Sequence, residues 1–259
     1  LVVAAAAAAA AAGTRSNLSV SLPSTPAPRI PNLQQQQLEM WVSVRWEVAF
    51  LGCASLMVAF AMRANLGVAK PRLLANFTDH AGVEHPAPVT WTARETALFD
   101  SAFFYGYAAG QIPSGLLGAR FSARLIFGAG LLLASLLNCA IAFLLAQHPV
   151  FDTLVIALQV VQGLALSPLY PCLSALWSKW APPSERSRLG STASAGAYLG
   201  LALFMPINSA FVARHHWATH FYLNGITRFP SMTHRRVGAL GVIVALVWLH
   251  EVADSPAAH

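Results

Sequence analysis

The sequence has few charged residues and few cysteines. Charged side chains make up 10% of its 259 residues, whereas soluble domains carry about 25%. Cys53, Cys139 and Cys172 each lie inside an apolar run, without a CxxC or His–Cys spacing, so neither a disulfide framework nor a zinc site is predicted. The basic residues form no compact patch, so the net charge of +6 does not predict nucleic-acid binding.

The sequence also lacks the motifs that usually accompany catalysis. It contains no nucleophile elbow, phosphate-binding loop or hydrolase-type pair of carboxylates, so no catalytic residue is assigned and no cofactor is expected. His216 and His220 have the i, i+4 spacing of metal ligands. They lack a third ligand and the acidic residue of an HExxH motif, so no metal site is predicted.

Long apolar runs dominate the remaining sequence. Apolar residues make up 56% of the chain, and the mean hydropathy is +0.55. A helix of about 20 apolar residues crosses the hydrocarbon core of a bilayer. The predicted membrane helices cover residues 48–69, 97–117, 125–145, 154–177 and 189–212, with a sixth in the last part of the chain. The lipid bilayer is therefore the first predicted partner.

The first 45 residues have a biased composition and precede these runs. They contain an alanine run from Ala4 to Ala12, a Ser/Pro stretch and the run Gln34–Gln37. We expect a disordered cytosolic tail over residues 1–45; the alternative, a signal-peptide core, lacks a basic start. Residues 46–259 are predicted to form the helical bundle, and the missing initiator Met indicates a fragment or a conceptual translation.

The stretch Trp177 to Leu189, WSKWAPPSERSRL, separates two of the apolar runs. Its tryptophans suit the headgroup layer, its lysine and arginines suit the cytosolic face of a membrane, and its two prolines end the incoming helix. The physical reading is an interfacial turn on the cytosolic side.

The amino-acid sequence of this stretch closely resembles the loop between helices 4 and 5 in the anion-transporter family of the major facilitator superfamily. That family contains sialin, the vesicular glutamate transporters and the sodium–phosphate transporter group. Further matches, in the expected order, are RANLGVA at 63–69, SAFFYGY at 101–107 and QIPSGLLGARF at 111–121. Gly115, Arg120 and Arg124 resemble the superfamily's loop motif, although Ala119 replaces its usual acidic residue.

The resemblance covers roughly residues 50–225 and only the first half of such a transporter. It implies an all-α membrane protein, equivalent to the N-terminal six-helix half, in a lysosomal, vesicular or plasma membrane. It also implies secondary active transport of an organic anion (sialate, acidic amino acid or phosphate class) by alternating access, with H⁺ or Na⁺ as coupling ion. The C-terminal half, absent from this chain, would be supplied in cis by missing sequence or in trans by a partner.

Two other functions remain open at this point. One is a truncated or degenerate membrane protein that does not transport, because a single six-helix half cannot enclose a two-sided pathway. The other is a facilitative carrier that has lost coupling to an ion.

Arg63 is the outstanding charge within the apolar runs. An intramembrane arginine is costly and usually faces a polar cavity or a partner, although snorkelling toward the headgroups near Lys70 is an alternative. The resemblance implies that Arg63 binds the substrate carboxylate. It also places Phe60, Phe104 and Tyr107 near the central pocket, where the alternative roles are ordinary packing and lipid contact.

The fourth run departs from the family. Relatives carry there an arginine, acidic residues and a histidine, whereas Gln159, Gln162, Leu166 and Ser174 occupy the matching positions. Gln162 does not depart from the vesicular glutamate members, which also have QG there, but Gln159, Leu166 and Ser174 do. Gln159 is kept as a substrate-binding candidate, but proton-driven symport loses its best candidates. Asp100 is the remaining coupling candidate; it could titrate, pair with Arg63 or lie at a solvated helix end.

Three other features carry expectations of their own. Asn76, in the sequon Asn76-Phe77-Thr78 of a long polar connection, is predicted to be glycosylated and to face the lumen or the cell exterior. Gln111 is expected to make an interhelical hydrogen bond of structural value. Residues 227–237 carry three arginines that a spanning helix would not hold at mid-depth, which indicates a retained intron or model error, or a sixth helix that begins late.

Overall fold

The computed structural model describes residues 32–78, 84–147, 150–214, 221, 224 and 240–253. Two compact units divide the chain, Leu1–Glu39 and Met40–His259. In the first unit, residues 32–39 are described and are helical, within the tail predicted to be disordered. The stretch 227–237 and His215, His216 and His220 lie outside the described residues.

Helices form most of the described chain. Their bounds are α1 Asn32–Leu74, α2 Ala93–Arg120, α3 Ala123–Leu145, α4 Asp152–Leu166, α5 Leu169–Trp180, α6 Arg186–Arg214 and α7 Leu240–Glu251. Strands β1 (Phe77–Thr78) and β2 (Glu84–His85) pair antiparallel in the polar connection between α1 and α2. Apart from this two-residue pair, the described elements are the helices predicted from the apolar runs.

Three helical stretches in this part of the chain are long and apolar enough to cross a membrane. They are Val44–Leu74, Ala123–Leu145 and Asp152–Trp180. Helices α2 and α6 have 28 and 29 residues, but they contain more glycine, serine and tyrosine and are less apolar.

The fourth predicted span is not one continuous helix. The sequence predicts a helix over residues 154–177, whereas the structure ends α4 at Leu166 and begins α5 at Leu169. Pro168 has no N–H to donate to the carbonyl of Leu164, and its ring disfavours a continuous helix. The hydroxyl of Ser167 donates to that carbonyl instead, at 2.8 Å.

Glycines bring α2 and α4 into backbone contact. A Cβ atom on Gly106 would overlap the carbonyl of Val160, and one on Gly163 would overlap the carbonyl of Phe103. Small residues at these positions let two membrane helices approach closely. This close approach sets the position of the α2 aromatic residues relative to the break between α4 and α5.

The start of α2 is fixed by its cap and by a contact to α4. Thr92 and Glu95 form a capping box. The Glu95 carboxylate accepts a hydrogen bond from the Thr92 backbone N–H at 2.7 Å, and the Thr92 hydroxyl accepts one from the Glu95 backbone N–H at 3.3 Å. The Trp91 indole N–H donates to Asp152, the first residue of α4, at 2.8 Å. The capping box fixes the first turn of α2, and the bond from Trp91 joins the start of α2 to the start of α4.

Candidate functional site

A small, partly open cleft lies between α1, α2 and the junction of α4 with α5. Its lining is aromatic and aliphatic apart from one charged side chain. The lining residues are Leu56, Ala59, Phe60, Arg63, Phe103, Tyr107, Leu166, Leu169 and Tyr170. An apolar cavity with few polar groups is the usual form of a small-molecule site.

Arg63 is the charged residue of this cleft, and three phenylalanine rings surround its guanidinium. The guanidinium carbon lies 4.5 Å from the ring centroid of Phe104, 5.4 Å from that of Phe60 and 5.7 Å from that of Phe103. Phe60 precedes Arg63 by three residues on α1, which places both on one helix face, and the other two rings come from α2. Aromatic faces attract a cation at these distances.

The acidic residue that the sequence offered as a partner for Arg63 lies elsewhere. Asp100 forms an ion pair with Lys70; the Asp100 side chain is 57% exposed and that of Lys70 is 14% exposed. Within the described ranges, no carboxylate pairs with Arg63. The guanidinium of Arg63 therefore keeps its charge uncompensated beside the cleft.

Two tyrosines complete the wall of the cleft. Tyr170 meets the ring of Phe60 edge-on, with centroids 6.2 Å apart, and Tyr107 stacks against Phe103 with centroids 6.0 Å apart. Tyr170 lies in the first turn of α5, after the Ser167–Pro168 break. Sequence reasoning did not select Tyr170 or Phe103, although Phe103 belongs to the stretch 101–107 that resembles the anion-transporter family.

The two glutamines of α4 are buried outside this lining. Gln159 is 5% exposed and Gln162 is 4% exposed, and Gln162 donates to the carbonyl of Ala134 at 3.3 Å. Substrate contact by Gln159 remains a prediction. Gln111 is partly buried, and its backbone carbonyl accepts a hydrogen bond from Ser114 within the same helix at 2.8 Å.

The loop-motif residues lie at the opposite end of α2 from its capping box. Gly115 and Arg120 are exposed. Arg124, in the first turn of α3, donates to the carbonyl of Leu249, and the indole of Trp248 donates to the carbonyl of Arg124 at 3.2 Å. Arg124 thus joins α3 to α7.

Asn76 is exposed beside β1. Its side-chain oxygen accepts the backbone N–H of Ala87 at 3.0 Å. An exposed loop position is where a glycosylation acceptor is expected. Within the part of the chain that the structure describes, no three His, Cys, Asp or Glu side chains come close enough together to hold a metal ion.

Comparison with known proteins shows which family the chain belongs to. A family model described as Major Facilitator Superfamily matches residues 49–255. The chain is 38% identical over 231 residues to the potential vesicular glutamate transporter vglu-3 of Caenorhabditis elegans, covering 89% of this chain and 40% of that relative. It is 34% identical over 218 residues to vesicular glutamate transporter 2 of Bos taurus, covering 83% of this chain and 35% of that relative.

The match to the human vesicular glutamate transporter 2 is similar, at 33% identity over 218 residues, 83% of this chain and 35% of the relative. The chain therefore spans 35 to 40% of the length of these relatives, and it matches their N-terminal part.

Proposed function

Because this chain belongs to the major facilitator superfamily, we propose that it contributes the N-terminal half of a transporter that moves a small organic anion by alternating access. It is an integral, multi-pass membrane protein. The predicted fold is confirmed, namely the six-helix N-terminal half of a major facilitator superfamily transporter. Its relatives are transporters rather than enzymes. The observation that carries the proposal is the guanidinium of Arg63 among three aromatic rings beside a cleft.

Aromatic rings stabilise the charge of Arg63 without neutralising it. A carboxylate partner would satisfy the guanidinium and weaken its attraction for a substrate, whereas a ring quadrupole supplies no formal negative charge. The planar guanidinium has five N–H donors and binds a carboxylate through two parallel hydrogen bonds. Arg63 is therefore suited to bind an anion that enters the cleft.

The apolar lining narrows the class of anion. Apart from Arg63, the cleft offers aliphatic side chains, phenylalanine rings and the two tyrosines. Such a lining suits a small molecule with one carboxylate to pair with Arg63 and a body that packs on aromatic rings. Among the classes that the sequence predicts, acidic amino acids and sialate fit this description better than inorganic phosphate does.

A facilitative carrier is the second candidate. It is favoured by the fourth span, where Gln159, Leu166 and Ser174 provide no titratable group for proton coupling. Asp100 remains the proposed proton-coupling residue. A pH gradient separates the two functions, because a proton-coupled symporter accumulates the anion against its gradient and a facilitative carrier only equilibrates it.

The second half of the pathway must come from outside this chain segment. In this superfamily the substrate site lies between two six-helix halves that rock against each other. Large apolar side chains are exposed on α2 and α6, including Ile112 at 80% and Tyr198 at 78%. We propose that a C-terminal half, in cis or in trans, completes the site.

The function is tested by anion uptake into proteoliposomes that contain the full-length protein, with glutamate, sialate and phosphate as labelled substrates. We expect Arg63→Ala to abolish uptake of the transported anion and Arg63→Lys to keep part of it, since lysine retains the charge but not the fork of donors. Unchanged uptake by Arg63→Ala would remove Arg63 from the site. No uptake of any of the three anions by the wild-type protein would favour a membrane protein that does not transport.

A further inference from the structure

Four asparagine side chains meet in the interior of the bundle, on the other side of α1 from the cleft. Each is at most 1% exposed. They are Asn65 of α1, Asn138 of α3, Asn208 of α6 and Asn224 of the segment before α7. We call these four residues the asparagine cluster.

Asn65 is the centre of the asparagine cluster. Its side-chain oxygen accepts from the amide nitrogens of Asn208, at 3.2 Å, and of Asn224, at 2.8 Å. Its own nitrogen donates to the oxygen of Asn138 at 3.1 Å, and the nitrogen of Asn138 donates to the carbonyl of Phe221 at 2.8 Å. The side-chain oxygens of Asn65 and Asn138 therefore each have a hydrogen-bond donor within the cluster.

Two oxygens of the asparagine cluster are left over. The Oδ1 atoms of Asn208 and Asn224 are buried, and no donor among the described residues reaches either of them. A buried carbonyl without a partner is unfavourable and rare in folded proteins. Both amide nitrogens lie within 3.2 Å of the same Asn65 oxygen, so the two unsatisfied acceptors belong to a single hydrogen-bonded network.

We propose that the asparagine cluster binds Na⁺, with the Oδ1 atoms of Asn208 and Asn224 as ligands. Amide and backbone carbonyl oxygens are the ligands that replace the hydration shell of alkali cations in membrane proteins. A divalent ion would require carboxylate ligands, and the four members of the cluster are neutral. The charge of the ligand set therefore matches a monovalent cation.

Two more oxygens approach the same region from α3 and from the Asn224 backbone. A Cβ atom on Gly241 would contact both the hydroxyl of Ser135 and the carbonyl of Asn224, so a glycine is needed where α7 passes these groups. Ser135 is one turn before Asn138 on α3 and is fully buried. These oxygens add polar surface around the cluster.

The position of Asn65 links the cation to the anion cleft. Successive residues of an α-helix are turned by about 100°, so Asn65 lies about 200° around α1 from Arg63. One face of α1 therefore carries the guanidinium at the cleft, and the opposite face carries the centre of the asparagine cluster. A cation that orders this part of α1 would also order Arg63. That consequence rests on the proposed anion transport, whereas the cation site does not.

The cation site is tested without any substrate, so its outcome is independent of the transport assay. The full-length protein in lipid nanodiscs is heated in NaCl and in choline chloride at equal ionic strength, and direct binding of ²²Na⁺ is measured beside it. We expect a saturable rise in Tm with Na⁺ concentration, because a ligand that binds only the native state stabilises it. Equal Tm values in both salts, together with no bound ²²Na⁺, would overturn the proposal and leave a water-filled or purely structural network.

Variants of the cluster separate cation binding from stability. Asn208→Ala removes a proposed ligand and is expected to abolish the Na⁺-dependent rise in Tm. Asn138→Ala is the matched control: it breaks hydrogen bonds of the same cluster and lowers the starting Tm, but it leaves both proposed ligand oxygens and should keep the rise. A full Na⁺ response in Asn208→Ala would overturn the proposal.

Asn208→Asp keeps the test decisive if the alanine variant does not fold. It keeps an oxygen at the ligand position and adds a negative charge, which strengthens binding of a hard cation, although it also replaces the amide group that donates to Asn65. We expect the half-saturating Na⁺ concentration to fall, because the number of charged ligands raises the affinity of a cation site. An unchanged half-saturating concentration would contradict ligation by Asn208.

Discussion

The guanidinium carbon of Arg63 lies 4.5 Å from the ring centroid of Phe104 on the neighbouring helix. Phe104 is half exposed, so this contact lies at the edge of the cleft rather than in the packed core. The ring therefore contacts the guanidinium of Arg63 from the open side of the cleft. The contact between α1 and α2 thus leaves the charge of Arg63 without a neutralising partner among the described residues.

Replacing Phe104 by leucine is expected to weaken binding of the transported anion. The change removes a cation–π contact of about 0.5 to 1 kcal/mol, which corresponds to roughly a two- to fivefold rise in the apparent KM for uptake. Tyr105→Leu is the matched control, because Tyr105 is the next residue on α2 and is 66% exposed. If Tyr105→Leu raised the KM as much as Phe104→Leu, the effect would not come from the contact with Arg63.

Replacing Asp100 by asparagine tests its proposed role in proton coupling. The change breaks the ion pair with Lys70. If Asp100 carries the coupled proton, accumulation driven by a pH gradient is lost while exchange of labelled for unlabelled anion continues; Asp100→Glu should retain both. Gradient-driven accumulation that persists in Asp100→Asn would place the coupled proton on another group.

Replacing Gly106 by alanine is expected to destabilise the bundle. The new methyl group would overlap the backbone of Val160, and backbone cannot move aside as a flexible side chain can. Forcing an extra carbon into such a contact costs about 1 to 3 kcal/mol, which should lower the Tm measured in nanodiscs.

Gly115→Ala on the same helix is the control for this prediction. A Cβ atom at Gly115 meets no atom within 4 Å, so alanine there should leave the Tm unchanged or raise it slightly, since alanine is the better helix former. Equal Tm values for the two variants would contradict the close packing of α2 on α4.

Replacing Asn76 by glutamine is expected to remove an N-linked glycan. Asn76 is exposed in the connection between α1 and α2, which the sequence places on the lumenal or exterior side. The electrophoretic mobility of protein from a glycosylating host should increase, and treatment with a deglycosidase should abolish the difference. Asn17→Gln serves as control, because the sequon Asn17-Leu18-Ser19 lies in the tail that we expect to be cytosolic and therefore not glycosylated. A wild-type protein without glycan would contradict the predicted side of this loop.

The sequence by itself determined the helices and the family. Apolar runs of membrane-spanning length can satisfy their backbone groups in a bilayer only as helices, and the runs predicted around residues 48–69, 97–117, 125–145 and 189–212 lie within α1, α2, α3 and α6. The spacing of Phe60 and Arg63 on one helix face also followed from periodicity alone. Local pattern and short motifs were sufficient for these features.

Only the tertiary structure decided which residues meet. Asn65 and Asn224 are 159 positions apart and are joined by a 2.8 Å hydrogen bond, and no periodicity within either segment indicates it. Lys70 rather than Arg63 pairs with Asp100, and Tyr170 joins the cleft beyond the break at Pro168. Such contacts depend on how far each helix is rotated and shifted against its neighbours. That register is set by many side-chain and glycine contacts between helices at once. Sequence patterns within one helix do not specify these contacts.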